Sequence, residues 1–168
     1  MARGNWSRAD TAVTVMAAIA AVFILFTNPA FSPFVPQESV HVQPSLVLAG
    51  SSGNGALTIT IVNVGKVPVT GAEVVGFGGV NLTHPYSVDI LGGQLGYGGS
   101  ITFPLTVVSS AANATAPPAN GIYYPGVLSA GHSYELEVRV LFANGNSKVY
   151  AVPVNASAAP DPAARAPP

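Results

Sequence analysis

The sequence predicts a mainly β chain, α+β by count, in which one long apolar helix precedes a two-sheet sandwich. Three observations predict it. Residues 11–26, TAVTVMAAIAAVFILF, hold no charge, and the uncharged run continues to Gln37. From Ser39 onward, apolar residues recur with period two in short runs broken by Gly, Pro and Asn. No later stretch carries a helical period, and serial short strands of this kind make an immunoglobulin-like β-sandwich.

The helix is expected over residues 7–28. The Ser7 hydroxyl caps free backbone N–H groups, and Asp10 three residues on completes a capping box. Pro29 ends it, since proline has no N–H to give and crowds the preceding turn. Its length of about 31 Å matches a bilayer hydrocarbon core of roughly 30 Å. Without a polar stripe, such a helix needs lipid or protein on every side. Its large apolar residues favour insertion by roughly 2–5 kcal/mol in sum. Arg3 and Arg8 precede it, so the N-terminus is expected in the cytoplasm and the rest of the chain outside. A permanent anchor, a cleaved secretory signal and a helix that later packs in a filament core all remain open. The exit sequence TNPAFSPF offers no small-x-small cleavage site, which weighs against the signal.

Residues 1–6 then form a leader, 29–38 a proline-rich connector, 39–157 the sandwich and 158–168 a low-complexity tail. Within the sandwich, strands are expected at 40–48 (interrupted by Pro44), 56–63, 67–77, 86–91, 101–107, 134–142 and 148–154. Pro104 argues for an edge position of the fifth. The sixth alternates most clearly: Tyr134, Leu136, Val138, Val140 and Phe142 on one face, Glu135, Glu137 and Arg139 on a wet one. Asn144-Gly145 supplies the hairpin turn into the seventh. Residues 109–121 read as a long loop.

Charged residues make up 8% of the chain, against about 25% in ordinary soluble proteins. So sparse a charge protects a surface poorly against association, and suits a subunit of an assembly or a domain coated with sugar. The net charge of −1 offers no electrostatic case for nucleic acid. With no cysteine, thiolate metal sites and cysteine nucleophiles are excluded.

Motif chemistry is thin. Residues 92–99, GGQLGYGG, lack the Gly-Lys-Ser/Thr ending of a phosphate loop and read as a flexible inter-strand loop. His41, His84 and His132 have no i,i+4 partner and no acidic cluster beside them. No catalytic, cofactor or metal residue is therefore expected, and no enzyme. Asn81, Asn113 and Asn155 each open a glycosylation sequon at an expected strand end or loop, making surface glycans a candidate modification.

The layout of short basic leader, apolar helix and β domain resembles archaeal type IV pilin-like proteins and archaellins. The run LTITIVNVGKVPVTGAEV, residues 57–74, is similar to the strand–Asn–Gly–strand segment common in their β domains. The resemblance implies a leader peptidase cut after Arg3-Gly4, making Asn5 the mature N-terminus. It differs in two respects: residues 5–10 are polar where apolar residues usually begin, and the fifth mature position holds Ala9, with Asp10 after it. Uncut, the chain is more similar to an anchored accessory such as the archaellum stator proteins. The function expected is that of a filament subunit in adhesion or motility, a homo-polymer through the N-terminal helix that passes through the membrane before assembly. A membrane-anchored binding or stator module and a secreted strand-donating fibre subunit are the alternatives.

Overall fold

In the computed structural model, residues 16, 36–49, 53–90, 93–112 and 117–160 are described. The expected helix, with Ser7 and Asp10, the leader site at Gly4 and Asn5, the sequon at Asn113 and the tail beyond residue 160 lie outside these, apart from Met16, which is helical and exposed. Among the described residues no helix is long and apolar enough to cross a membrane.

Eight strands follow in order: β1 (Val40–Leu48), β2 (Asn54–Asn63), β3 (Val69–Phe77), β4 (Val80–Asp89), β5 (Ser100–Ser109), β6 (Gly121–Tyr124), β7 (Ser133–Phe142) and β8 (Ser147–Ala158), with one 3-10 turn at Ser110–Ala112. They form a single sheet in the order β4-β3-β7-β8-β1-β2-β5-β6. Strand β8 makes it continuous. It runs antiparallel to β7 up to Asn155, then parallel to β1 from Ala156 to Ala158. The end strands β4 and β6 come against each other, so the sheet folds over into a nearly closed, sandwich-like body.

Period-two alternation sends one face of each strand inward. Leu46, Leu57, Ile59, Ile61, Val74, Val107, Ile122, Leu136, Val138 and Val140 are all essentially inaccessible to solvent. The expected alternation of β7 holds residue by residue, with Leu136, Val138, Val140 and Phe142 buried between partly or fully exposed neighbours. Gly145, at φ +84°, makes the β7–β8 turn, and its N–H donates to the Phe142 carbonyl at 3.0 Å.

The structure corrects several expectations. Pro44 does not interrupt β1, where it lies opposite Ile59 of β2. Pairing with β8 begins only at Leu46, so at Pro44 no strand flanks the other side. Pro104 follows the same rule, since β5 meets β6 only from Thr106. So does Pro153, two residues before β8 leaves β7 for β1. Pro85 sits on the edge strand β4 where its register with β3 skips. Each proline falls where its missing N–H has no ladder to break. Strand β4 begins six residues before the expected strand, and β8 runs on to Ala158, which places Asn155 within a strand rather than after one. Strand β6 was not expected at all, because four residues are too few to show a period.

Between β3, β6 and β7, three aromatic rings close one end of the core. Phe77 stacks on Tyr134 at 5.5 Å and meets Tyr124 edge-on at 5.4 Å. The Tyr134 hydroxyl accepts a hydrogen bond from the Ser129 N–H at 2.8 Å and donates to the Val127 carbonyl at 3.2 Å. A tyrosine early in its strand, tied back to the backbone a few residues upstream, is a device also found in immunoglobulin-type sandwiches.

Candidate functional site

Two features stand out at the surface: the seat of the connector, and the unequal distribution of charge between the two halves of the sheet.

The seat is built on Asn63, the last residue of β2 and fully buried. Its Nδ2 donates to the carbonyls of Val67 (3.1 Å) and Leu95 (2.8 Å), while its Oδ1 accepts from the Gly65 N–H at 2.9 Å. One side chain thus folds the turn after β2 and ties the segment around Leu95 beneath it. That segment belongs to the Gly-rich run 92–99, whose expected flexible-loop role is modified. Leu95 forms an antiparallel bridge with Val69, and Gly98 and Gly99 hydrogen-bond the Asn63 backbone.

The turn then holds the connector. Val64, Lys66 and Val67 donate backbone N–H groups to the carbonyls of Ser39, Pro36 and Gln37, at 3.0, 3.0 and 2.8 Å. Gly65 must be glycine here, because a Cβ would lie 2.5 Å from the Ser39 nitrogen and 2.8 Å from the Gln37 oxygen. On the other side Glu38 reaches the β7–β8 hairpin. Its Oε1 accepts from Asn144 Nδ2 and Asn146 Nδ2, both at 2.6 Å. Lys148 Nζ lies 3.4 Å from Oε2 and donates to the Glu38 carbonyl at 2.9 Å. The two amides, and then the Lys148 ammonium, hold the Glu38 carboxyl below its ordinary value. The turn Asn63-Val64-Gly65 is therefore the device that fixes how the chain enters the domain.

The second feature is a division of charge. Among the described residues, every charged residue in a strand lies on β3, β4, β7 or β8. The outer face of that half carries Glu73, Glu135, Glu137 and Arg139, with Arg139 paired to Glu73 at 3.2 Å, while Lys148, opposite the buried Val140, turns to Glu38 at the start of β8. The opposite outer face, on β1, β2 and β5, has none. Its rows, read across the three strands, are His41–Val62–Ser100, Gln43–Thr60–Thr102, Ser45–Thr58–Pro104 and Val47–Ala56–Thr106. All twelve are exposed or half-buried, and Thr60 and Thr102 share a hydrogen bond of 2.8 Å. Strand alternation fixed which residues face outward, but only the pairing order reveals that the neutral strands lie side by side.

The sequons separate. Asn81 is exposed at the start of the edge strand β4. Asn155 lies inside β8 opposite Ser133, and the Ser157 hydroxyl of its sequon donates to the Leu46 carbonyl at 3.2 Å. His41, His84 and His132 stand on β1, on β4 and before β7, and among the described residues no three metal-ligating side chains converge.

No family model matches the chain, and no curated protein matches it. Several solved structures are distantly similar. The chain shares 15% identity with an ApaA protein from Bordetella pertussis at a TM-score of 0.37, over 70% of this chain and 91% of that one. A CARDB domain from Pyrococcus furiosus, in complex with di-metal ions, is 16% identical at a TM-score of 0.36, over 73% and 90%. A β-glucosidase from Listeria innocua, in complex with glucose, is 14% identical at 0.30, over 77% of this chain and 18% of that one. The chain is thus distantly similar to ApaA-like and CARDB-like β-sandwich domains, a likeness of chain path that assigns no activity.

Proposed function

We propose that the chain is a structural subunit of an extracellular, pilus-like filament of the archaeal type IV pilin kind, in which the apolar N-terminal helices bundle and the immunoglobulin-like sandwiches pack outside them. The observation that carries this reading is the uncharged outer face of β1, β2 and β5. A surface that meets its own copies must be stripped of water over and over, and charge is what makes that costly. The face measures about 20 Å along the strands and 14 Å across them, or roughly 300 Å2. A free-standing complex needs about 800 Å2 from each partner. Alone the face is too small to hold two copies together. Held side by side by their helices, copies need no more, because tethering raises the effective concentration. The docked connector supports the same reading, since it sets the sandwich in a fixed attitude to whatever lies ahead of residue 36.

The strand-donating alternative has less support, because its donor segment, β1, is already paired to β2 and β8 within its own sheet. The reading assigns the chain no enzymatic chemistry.

Purification of surface filaments with N-terminal sequencing of the subunit tests the proposal. Filaments built from this chain, with the 11–26 segment retained, are the expected result; only membrane-bound single subunits would sink it. Thr60→Lys, on the neutral face, is expected to abolish assembly without unfolding the domain. Val149→Lys, exposed on the charged half, is expected to assemble normally.

A further inference from the structure

A groove of about 490 Å3 runs along the seam where β4 and β6 come together without pairing. Val80, Asn81, Leu82, Thr83 and His84 of β4 form one wall; Tyr123 of β6, with Pro117 and Pro125, forms the other. Its volume lies within the roughly 300–1,000 Å3 of small-molecule sites. No charged residue lines it, so nothing there would select a phosphate or a carboxylate, and a lone histidine does not hold a metal. What it offers is an aromatic ring, two stiff prolines, an amide, a hydroxyl and an imidazole. An aromatic face beside neutral hydrogen-bonding groups suits a neutral sugar, whose C–H faces pack on the ring while its hydroxyls bond at the rim. The strand that carries this ring, Tyr123 of β6, is fixed in place by its neighbour. Tyr124, next to it, is wedged between Gly78 and Gly126, where any Cβ would come within 2.6 and 2.5 Å of its ring, and is locked edge-on to Phe77 and Tyr134. On the opposite wall stands the Asn81-Leu82-Thr83 sequon, with Asn81 and Thr83 exposed and Leu82 half-buried.

We propose that this groove is a saccharide seat, and that its occupant is the first sugar of a glycan carried by Asn81. The inference rests on the reading of the domain as exported, where such a glycan is attached. It does not depend on whether the chain polymerises.

The chain has no cysteine, so Asn81→Cys in the full-length protein in detergent provides a single thiol. It is alkylated with N-acetylglucosamine iodoacetamide or, as a control, with plain iodoacetamide. The sugar is expected to raise the melting temperature by a few degrees over the control and to show contacts to the Tyr123 ring by NMR. The gain should persist in Tyr123→Phe and vanish in Tyr123→Leu, which keeps bulk without a ring. Equal melting of sugar and control adducts with Tyr123 in place would overturn the seat. Mass spectrometry of the chain from its own cells is expected to find sugar on Asn81. A bare Asn81, together with titration of Tyr123 by free N-acetylglucosamine, would overturn the attached glycan as its source. These measurements are read on single subunits, so failure of filaments to form leaves their outcome unchanged.

Discussion

Asn63, fully buried at the end of β2, ties together the turn that follows the strand and the segment around Leu95. Its side chain makes three hydrogen bonds, one buried and two part-buried, and removing it leaves their partners unsatisfied at roughly 1–3 kcal/mol each. Asn63→Ala is therefore expected to cost about 2–4 kcal/mol, lowering the melting temperature by roughly 8–15 °C. Asn63→Asp should be worse near neutral pH, because it points a carboxylate at the Val67 and Leu95 carbonyls, and should recover as acid protonates it. Glu38 gives the opposite dependence. Its carboxyl is held below the ordinary value of 4.5 in the folded chain, so what it contributes is complete above that value and is lost as pH falls through the lowered one. The stability difference between the parent and Glu38→Gln should shrink on acidification in that window, measured by denaturant melts at several pH values. Ser109 is a simpler case. Its hydroxyl is fully buried and makes no hydrogen bond among the described residues, so Ser109→Ala should be neutral or stabilising.

At the scale of the strand, the prolines mark where one neighbour has let go. Thr106 is two residues beyond Pro104, and its N–H donates to the Asn120 carbonyl at 3.0 Å as β6 begins. Thr106→Pro is therefore expected to cost about 3 kcal/mol or more and to free β6, whereas Pro104→Thr should be nearly silent; thermal melts and hydrogen exchange at Ile122 would check both. Much of this level was legible beforehand. The alternation of β7, the Asn144-Gly145 turn and the run of β2 declare themselves through period and turn chemistry. Strand β6 did not, since Gly121–Tyr124 is anchored by non-local contacts: the parallel ladder to β5 and the packing of Tyr124 under Phe77. The prolines misled because a strand can break its ladder on one side only, and which side is free depends on strand order. Asn63 stood in the strand–Asn–Gly–strand run of residues 57–74, but its grip on Leu95 joins residues 32 apart in sequence, which no local pattern contains.

For the whole molecule, sparse charge was readable from composition, but its distribution was not, because β1, β2 and β5 become neighbours only in the folded sheet. That arrangement gives the filament reading its sharpest prediction, a face that tolerates a lysine in the monomer and refuses it in the assembly. It also sets the salt response: contacts across an uncharged face should persist at high ionic strength, where contacts between exposed charges are screened. Filament length measured in rising salt would register the difference, and depolymerisation by moderate salt would count against a neutral interface. The groove is likewise a property of the nearly closed sheet, formed by two end strands 32 residues apart at their nearest termini.

The way the connector enters β1 has a mechanical consequence. A pull directed along β1 from ahead of Pro36 passes first through the Glu38 and Gly65 anchorage and then into β1, whose partners run from Val40 opposite Asn63 to Leu48 opposite Gly55. Load in that direction slides one strand lengthwise past the other, so the bonds between them must yield together instead of peeling one at a time. In the proposed filament, that single junction would be a joint that resists being drawn out.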